Sequence, residues 1–328
     1  MAEERTAITN TEASATAESG ADKTPKYDAS LHPSERPVKK VGYLWGVLAA
    51  FLYCTQGPAT KVFLMRGFDS YTITALVFVL GTIAINLYLI VTRKWEMYAP
   101  IKQNKIVLPA MAVAYFLSYL LYFYSLNYIN VGIGSVLFYL SPIIIVSFYM
   151  ITKIKPVTTA NKIAIVVAIF GCTLALNVYT KGSTVGVTLP GVVLGIMASV
   201  CGATGNLTND LKGYGIPPVS LVLYTTSLGA VFAVLVKPAV LGTLFHLSWP
   251  YLLAFLALAV MTKVLPAICF YEELKCIGAE RASVVATLET PMTLVISYFL
   301  FHETMLPVQL IGVAIILGSV FLLQQKGQ

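Results

Sequence analysis

The stretch Trp45–Gly57, WGVLAAFLYCTQG, lines up with Pro190–Gly202, PGVVLGIMASVCG, so that Gly46 meets Gly191 and Gly57 meets Gly202. The pairing continues along the chain. Leu80-Gly81 falls on Leu228-Gly229, and the run from Tyr122 through Ser141-Pro142 to Gly171 falls on the run from Tyr271 through Thr290-Pro291 to Gly318, at offsets between 145 and 149. Two copies of one unit therefore follow each other.

Apolar runs of about the 20 residues that cross a bilayer occur near 41–64, 70–92, 106–127, 131–152, 161–179, 189–209, 217–237, 250–272, 280–301 and 305–325. Ten runs put both termini on one side. With that side cytoplasmic, Arg36, Lys39, Lys40, Arg93, Lys94, Lys102, Lys105, Lys153, Lys155, Lys162, Lys212, Lys275, Arg281 and Lys326 lie inside, and only Arg66, Lys181 and Lys237 outside. This imbalance obeys the positive-inside rule. Each unit holds an odd number of crossings, five, so the second enters the membrane from the opposite side. The expected fold is an all-α integral membrane protein of ten transmembrane helices in two inverted five-helix repeats, 41–180 and 188–325. It carries a cytoplasmic tail, 1–40, too poor in apolar residues to build a core.

Composition agrees. Hydrophobic residues make up 57 % of the chain and charged residues 11 %, with a mean hydropathy of +0.78, far from the roughly 25 % charged of a soluble domain. The net charge of +7 is spread over short gaps between apolar runs, which is a topology signal and not a nucleic-acid face. The five cysteines, Cys54, Cys172, Cys201, Cys269 and Cys276, show no metal-binding spacing and read as small apolar residues.

With ten helices, Tyr124-Ser125-Leu126 before Ser141-Pro142, Thr290-Pro291 before Phe301-His302-Glu303, and the Ile311-Gly312 to Gly318 helix, the chain resembles the EamA-type branch of the drug/metabolite transporter superfamily from about Gly42 to Leu323. One position departs from the pattern: the glutamate expected after the fourth helix is replaced by Lys153-Ile154-Lys155. The resemblance implies a proton-linked or exchange carrier, often an exporter, for amino acids, related metabolites or amphiphilic compounds.

Charges inside apolar runs cost about 2.5–3.5 kcal/mol each on insertion scales and need a reason. Lys263 and Glu289 are such charges. Counted from their helix ends at ~1.5 Å per residue, both lie at one depth, where they could pair with each other or hold the two ends of a zwitterion. Neither has a charged counterpart in the first repeat, where Ala114 and Leu140 stand, so the architecture alone does not require them. Lys61 reads as a snorkelling side chain. Glu272, Glu273, Lys275, Glu280 and Arg281 read as a solvated inner turn between helices eight and nine, a candidate inner gate.

Pro58, Pro142, Pro266 and Pro291 interrupt apolar runs and are expected to act as hinges or fixed kinks. Gln56, Asn86, Ser118, Tyr139 and Asn206, with Tyr53 and Tyr115, are expected to line a polar path, though each is also a plausible interhelical contact. Gly42-x-x-x-Gly46 and Gly191-x-x-x-Gly195 mark close helix packing.

The sequence has no HExxH, P-loop or GxSxG, and its histidines are only His32, His246 and His302, which speaks against a polytopic enzyme. A channel would call for a ring-forming filter in an oligomer. The function expected is a secondary active transporter, an exporter, of a small metabolite such as an amino acid. An enzyme, a channel and an exporter of lipophilic cations are the alternatives. The partners expected are a small-molecule substrate and the lipid bilayer, with a proton or counter-substrate and a second copy of the chain as further candidates. No cofactor, metal or nucleic acid is expected. The location expected is the plasma membrane, or the inner membrane of a bacterium, with both termini cytoplasmic.

Overall fold

The computed structural model describes residues 40–102, 105–154, 159–175, 188–212, 216–286, 288–303 and 305–325. The expected tail, 1–40, lies outside them except for Lys40. Among the described residues every regular element is helical: α1 (Val41–Cys54), α2 (Gln56–Met65), α3 (Ser70–Val91), α4 (Val107–Ser125), α5 (Val131–Phe138), α6 (Ser141–Thr152), α7 (Thr159–Ala175), α8 (Leu189–Lys212), α9 (Pro218–Val236), α10 (Ala239–His246), α11 (Trp249–Ala259), α12 (Leu265–Ala286), α13 (Glu289–Phe301) and α14 (Pro307–Gln325). A 3-10 helix, Trp95–Lys102, follows α3, and a π-helical turn, Val260–Val264, joins α11 to α12.

Six stretches among the described residues are long and apolar enough to cross a membrane: Ser70–Val91, Val107–Ser125, Val131–Thr152, Leu189–Thr208, Pro218–Val236 and Trp249–Glu273. Two shorter apolar helices, Ile165–Ala175 and Pro307–Ser319, fall on the fifth and tenth runs. The first and ninth runs are each covered by two helical pieces, α1 with α2, and the end of α12 with α13. Helices are the form that satisfies every backbone polar group without water.

The interruptions have a chemical cause. A proline removes the N–H that would bond the carbonyl four residues earlier. Pro58 frees the carbonyl of Cys54, the helix breaks at Thr55, and the freed oxygen lies 3.3 Å from Thr293 Oγ1, whose one hydrogen it shares with the Glu289 carbonyl at 2.9 Å. Pro142, of which only the backbone is described, frees Phe138 at the α5–α6 break, and Ser199 Oγ donates to that oxygen at 3.2 Å. Pro266 cannot donate to the carbonyl of Thr262 four residues earlier, and the helix widens there into the π turn, where Leu265 N–H bonds the Val260 carbonyl. Pro291 follows the interruption between Ala286 and Glu289. In two of four cases a hydroxyl from the second repeat fills a gap in the first.

The most extensive helix pairs are α4 with α8, α12 with α1, and α14 with α7. The first two are one pair with the repeats exchanged, and the third joins the fifth helices of both repeats. This pattern also corrects the register of the repeat. A side chain on Gly42 would strike Cys276 and Ile277, and one on Gly191 would strike Tyr128 and Ile129. These are equivalent positions at the offset that relates Ser141 to Thr290, less one residue. Gly42 therefore corresponds to Gly191 and Gly46 to Gly195, one helical turn from the alignment at Trp45. Small residues recurring every four positions allow such a slip with little loss of pattern.

The turn expected at 272–281 is embedded in α12. Glu273 and Val285 would lie roughly 18 Å apart on a straight helix at ~1.5 Å per residue, yet a side chain on Gly46 would collide with both. The chain thus doubles back within α12.

Near one end of the bundle, Phe63 stacks on Phe255 with ring centroids 4.0 Å apart. Asp69 caps α3 there, accepting from Thr72 N at 3.0 Å and Thr72 Oγ1 at 2.6 Å. Lys61 is half-buried and donates to the Leu126 carbonyl.

Candidate functional site

Tyr115, Tyr119 and Tyr122 recur at helical spacing on α4, so their side chains share a face. They meet Tyr53 and Gln56 from the α1–α2 break, Ser135 and Tyr139 from the α5 segment, Ser199 and Asn206 on α8, and Glu289 and Thr293 on α13 around a central cavity of about 300 Å³. Asn206 is exposed, whereas Gly57, Tyr122 and Ser135 are buried, so the cavity reaches the surface on the Asn206 side. Tyr115 donates to Asn206 Oδ1 at 2.6 Å.

Tyr53, Tyr115, Tyr119 and Asn206 also wall a second chamber, about 240 Å³, which holds Lys263 with Thr225, Thr226 and Thr262. Lys263 sits on the π turn before Pro266 and is 6 % exposed. Its Nζ lies 3.0 Å from the ring centroid of Tyr119 and 4.3 Å from that of Phe78. It has no hydrogen-bond or ion-pair partner among the described residues. Of the two arrangements open to Lys263 and Glu289, the direct pair is not formed. They stand on neighbouring chambers with tyrosines between them.

Glu289 opens α13 and faces the central cavity. The hydroxyl of Tyr139 lies 2.8 Å from Glu289 Oε2 and 2.8 Å from the Ala286 carbonyl oxygen. A third chamber, about 250 Å³, shares Tyr53 and Glu289 and is completed by Gly46, Ala49, Ala50, Phe270, Glu273 and Ala286.

Of the residues expected on a polar path, Gln56, Tyr139 and Asn206 line the central cavity. Ser118 does not line these chambers; it is buried and donates to the Ala198 carbonyl at 2.7 Å. Asn86 is satisfied elsewhere, donating to the Thr82 carbonyl at 2.8 Å and accepting from Tyr98 at 2.8 Å. Both are interhelical or local contacts. Glu273, read as part of a solvated turn, is 1 % exposed instead. The cavity residues that sequence reasoning passed over, Tyr119, Tyr122, Ser135, Ser141, Ser199 and Thr293, carry one usable signal, the tyrosine stripe on α4.

The family model of EamA-like transporters matches residues 40–177 and again residues 189–324, once for each repeat. The chain belongs to the EamA-like transporter family. This makes it a multi-pass membrane protein with a two-repeat architecture and points to a transporter and not an enzyme. A protein of Archaeoglobus fulgidus described as an uncharacterized transporter is 23 % identical over 212 residues, 65 % of this chain and 74 % of that protein. A solved crystal structure is similar at a TM-score of 0.59 and 17 % identity, covering 87 % of this chain and 96 % of its own, a likeness of fold alone. Lys263, Glu273 and Glu289 stand in the second repeat where the first has Ala114, Tyr124 and Leu140.

Proposed function

We propose that this EamA-like protein is a secondary active exporter of a small zwitterionic metabolite of the amino-acid class, working by alternating access between two inverted five-helix repeats, 41–180 and 188–325. In this reading the chain crosses the plasma membrane, or a bacterial inner membrane, ten times with both termini in the cytoplasm. Pro58, Pro142, Pro266 and Pro291 mark the places where the helices bend as the cavity changes sides.

The observation that carries the reading is the buried Lys263 ammonium, held by aromatic faces and without an anionic partner, across a tyrosine wall from the Glu289 carboxyl. A substrate carboxylate supplies the missing anion at Lys263, and its ammonium turns toward Glu289. Ser141 Oγ in the central cavity, buried and without a partner among the described residues, and Asn206, which lines both chambers, are polar groups available to the substrate.

The test is a thermal-stability screen of purified protein against amino acids, organic acids, sugar phosphates, nucleotide sugars and hydrophobic cations, with Lys263→Ala beside it. A ligand at a hundredfold excess over its Kd stabilises by ~2.7 kcal/mol, a shift of a few degrees in Tm. An amino acid that stabilises the native protein and not Lys263→Ala supports the proposal. Hydrophobic cations stabilising both proteins, with the effect lost in Glu289→Gln, would replace it with cation export.

A further inference from the structure

Glu273 and Glu289 line one chamber between α1, α12 and α13. The ionisable groups facing Glu289 are Tyr53 and Cys54 on α1, Tyr119 and Tyr122 on α4, and Tyr139 beyond α5. Cys269 on α12 faces Glu273. None of these is a cation, so neither carboxyl has a positive partner among the described residues.

Glu273 is 1 % exposed, and its buried Oε1 has no hydrogen-bond partner among the described residues. It packs against Gly46, where any side chain would strike it. A carboxylate can only accept, and none of the described residues donates to that oxygen.

At Glu289 a count of hydrogens leads to the same result. Tyr139 has one hydroxyl hydrogen and two acceptors, the Ala286 carbonyl and Glu289 Oε2, each at 2.8 Å. If Glu289 is ionised, both neighbours can only accept and one contact has no hydrogen. If Glu289 carries a proton, it donates to Tyr139 and Tyr139 donates to Ala286, so that both contacts are made. When the proton leaves, Tyr139 turns its hydrogen to the carboxylate and the Ala286 oxygen loses its donor. Ala286 is the last residue of α12, at the interruption before α13.

From these positions we infer that Glu273 and Glu289 are a proton-carrying pair, the coupling site of this protein, and that Tyr139 passes the state of Glu289 to the α12–α13 break. Protons are taken from and returned to water in the central cavity, on which Glu289 also opens. The inference rests on the transport reading, but its test needs no substrate.

Infrared difference spectra of the purified full-length protein, taken between acidic and alkaline buffer, read protonated carboxyl groups directly. The native protein should keep a carboxylic C=O band at neutral pH. Glu273→Gln and Glu289→Gln should each remove one component, and the double variant both. Tyr139→Phe leaves both carboxyls in place and should shift the Glu289 component to higher frequency as its acceptor is lost, which decides the matter if the glutamine variants do not fold. No band at neutral pH, or a band unchanged in all three single variants, overturns the inference. A band that disappears when sodium replaces potassium assigns a metal cation and overturns the proton. If the band behaves as stated but proteoliposomes move no solute, the transport reading fails while the acid pair stands; solute transport without the band has the opposite meaning.

Discussion

At the scale of single residues, the buried Lys263 separates a binding role from a packing role. A lysine kept for structure would lower stability when removed. A buried amine without a partner does the reverse: its burial is unfavourable, so replacement by an apolar residue of similar length should be neutral or stabilising. Lys263→Met should therefore melt at or above the native temperature while losing stabilisation by a carboxylate ligand, both read in one thermal-shift experiment. Asp69 makes a different prediction. Burial pushes its carboxyl up, but hydrogen bonds from the Thr72 side chain and backbone and the nearby Lys237 outweigh burial and hold it below the usual carboxylate range. A depressed folded value means that its stabilisation is present above the unfolded value, near 3.8, and is lost as pH falls through the folded one. Asp69→Ala should cost about 1 kcal/mol, as for an N-cap, at neutral pH and little in strong acid, measured by unfolding at both.

At the scale of elements, the glycines of α1 and α10 form a matched pair. Gly46 is pressed between Glu273 and Val285, whereas the space around Gly242 in α10 is open. Gly46→Val should force α1 away from α12 and cost about 1–3 kcal/mol, as overpacking does. Gly242→Ala should be neutral or gain up to roughly 1 kcal/mol from helix propensity. Equal effects in a side-by-side denaturation would contradict the close packing of α1 on the α12 turn. These elements also mark where the sequence was legible. Six of the apolar runs coincide with helices long enough to cross a membrane, and each of Pro58, Pro142, Pro266 and Pro291 lies beside a break or a π turn, because a missing N–H acts locally whatever the surroundings. The one-turn register of Gly46 and the burial of Glu273 were not legible, since both depend on contact between residues far apart in the chain. Lys263 and Glu289 stood out because a charge in an apolar run is rare; which tyrosines wall their two chambers depended on how α1, α4 and α8 meet.

At the scale of the whole molecule, the two repeats differ in how they close. Glu303, between α13 and α14, reaches across to the other repeat and accepts from Val131 N, the first residue of α5, at 3.0 Å through Oε2 and 3.2 Å through Oε1. A carboxylate at a helix N-terminus is favourable, and Lys61 adds attraction. The first-repeat equivalent of Glu303 is Ile154, between Lys153 and Lys155, so that position supplies no matching carboxylate. A clamp at the Val131 end is in keeping with a cavity whose Gly57, Tyr122 and Ser135 are buried and whose Asn206 is exposed. Burial pushes the Glu303 carboxyl above its ordinary value despite the N–H groups of Val131 and Gly132 and the charge of Lys61. The folded protein therefore holds this proton to a higher pH than the unfolded chain, and acidification neutralises the clamp while the fold persists. A cysteine placed at Ser135, at the sealed end of the cavity, and an impermeant maleimide added to either side of proteoliposomes measure the consequence. Labelling should proceed from one side only at neutral pH, spread to the second side on acidification, and occur from both sides at every pH in Glu303→Ala. One-sided labelling that neither acid nor Glu303→Ala alters would show that the seal is made by packing around Tyr122 and Val131 and not by the carboxylate.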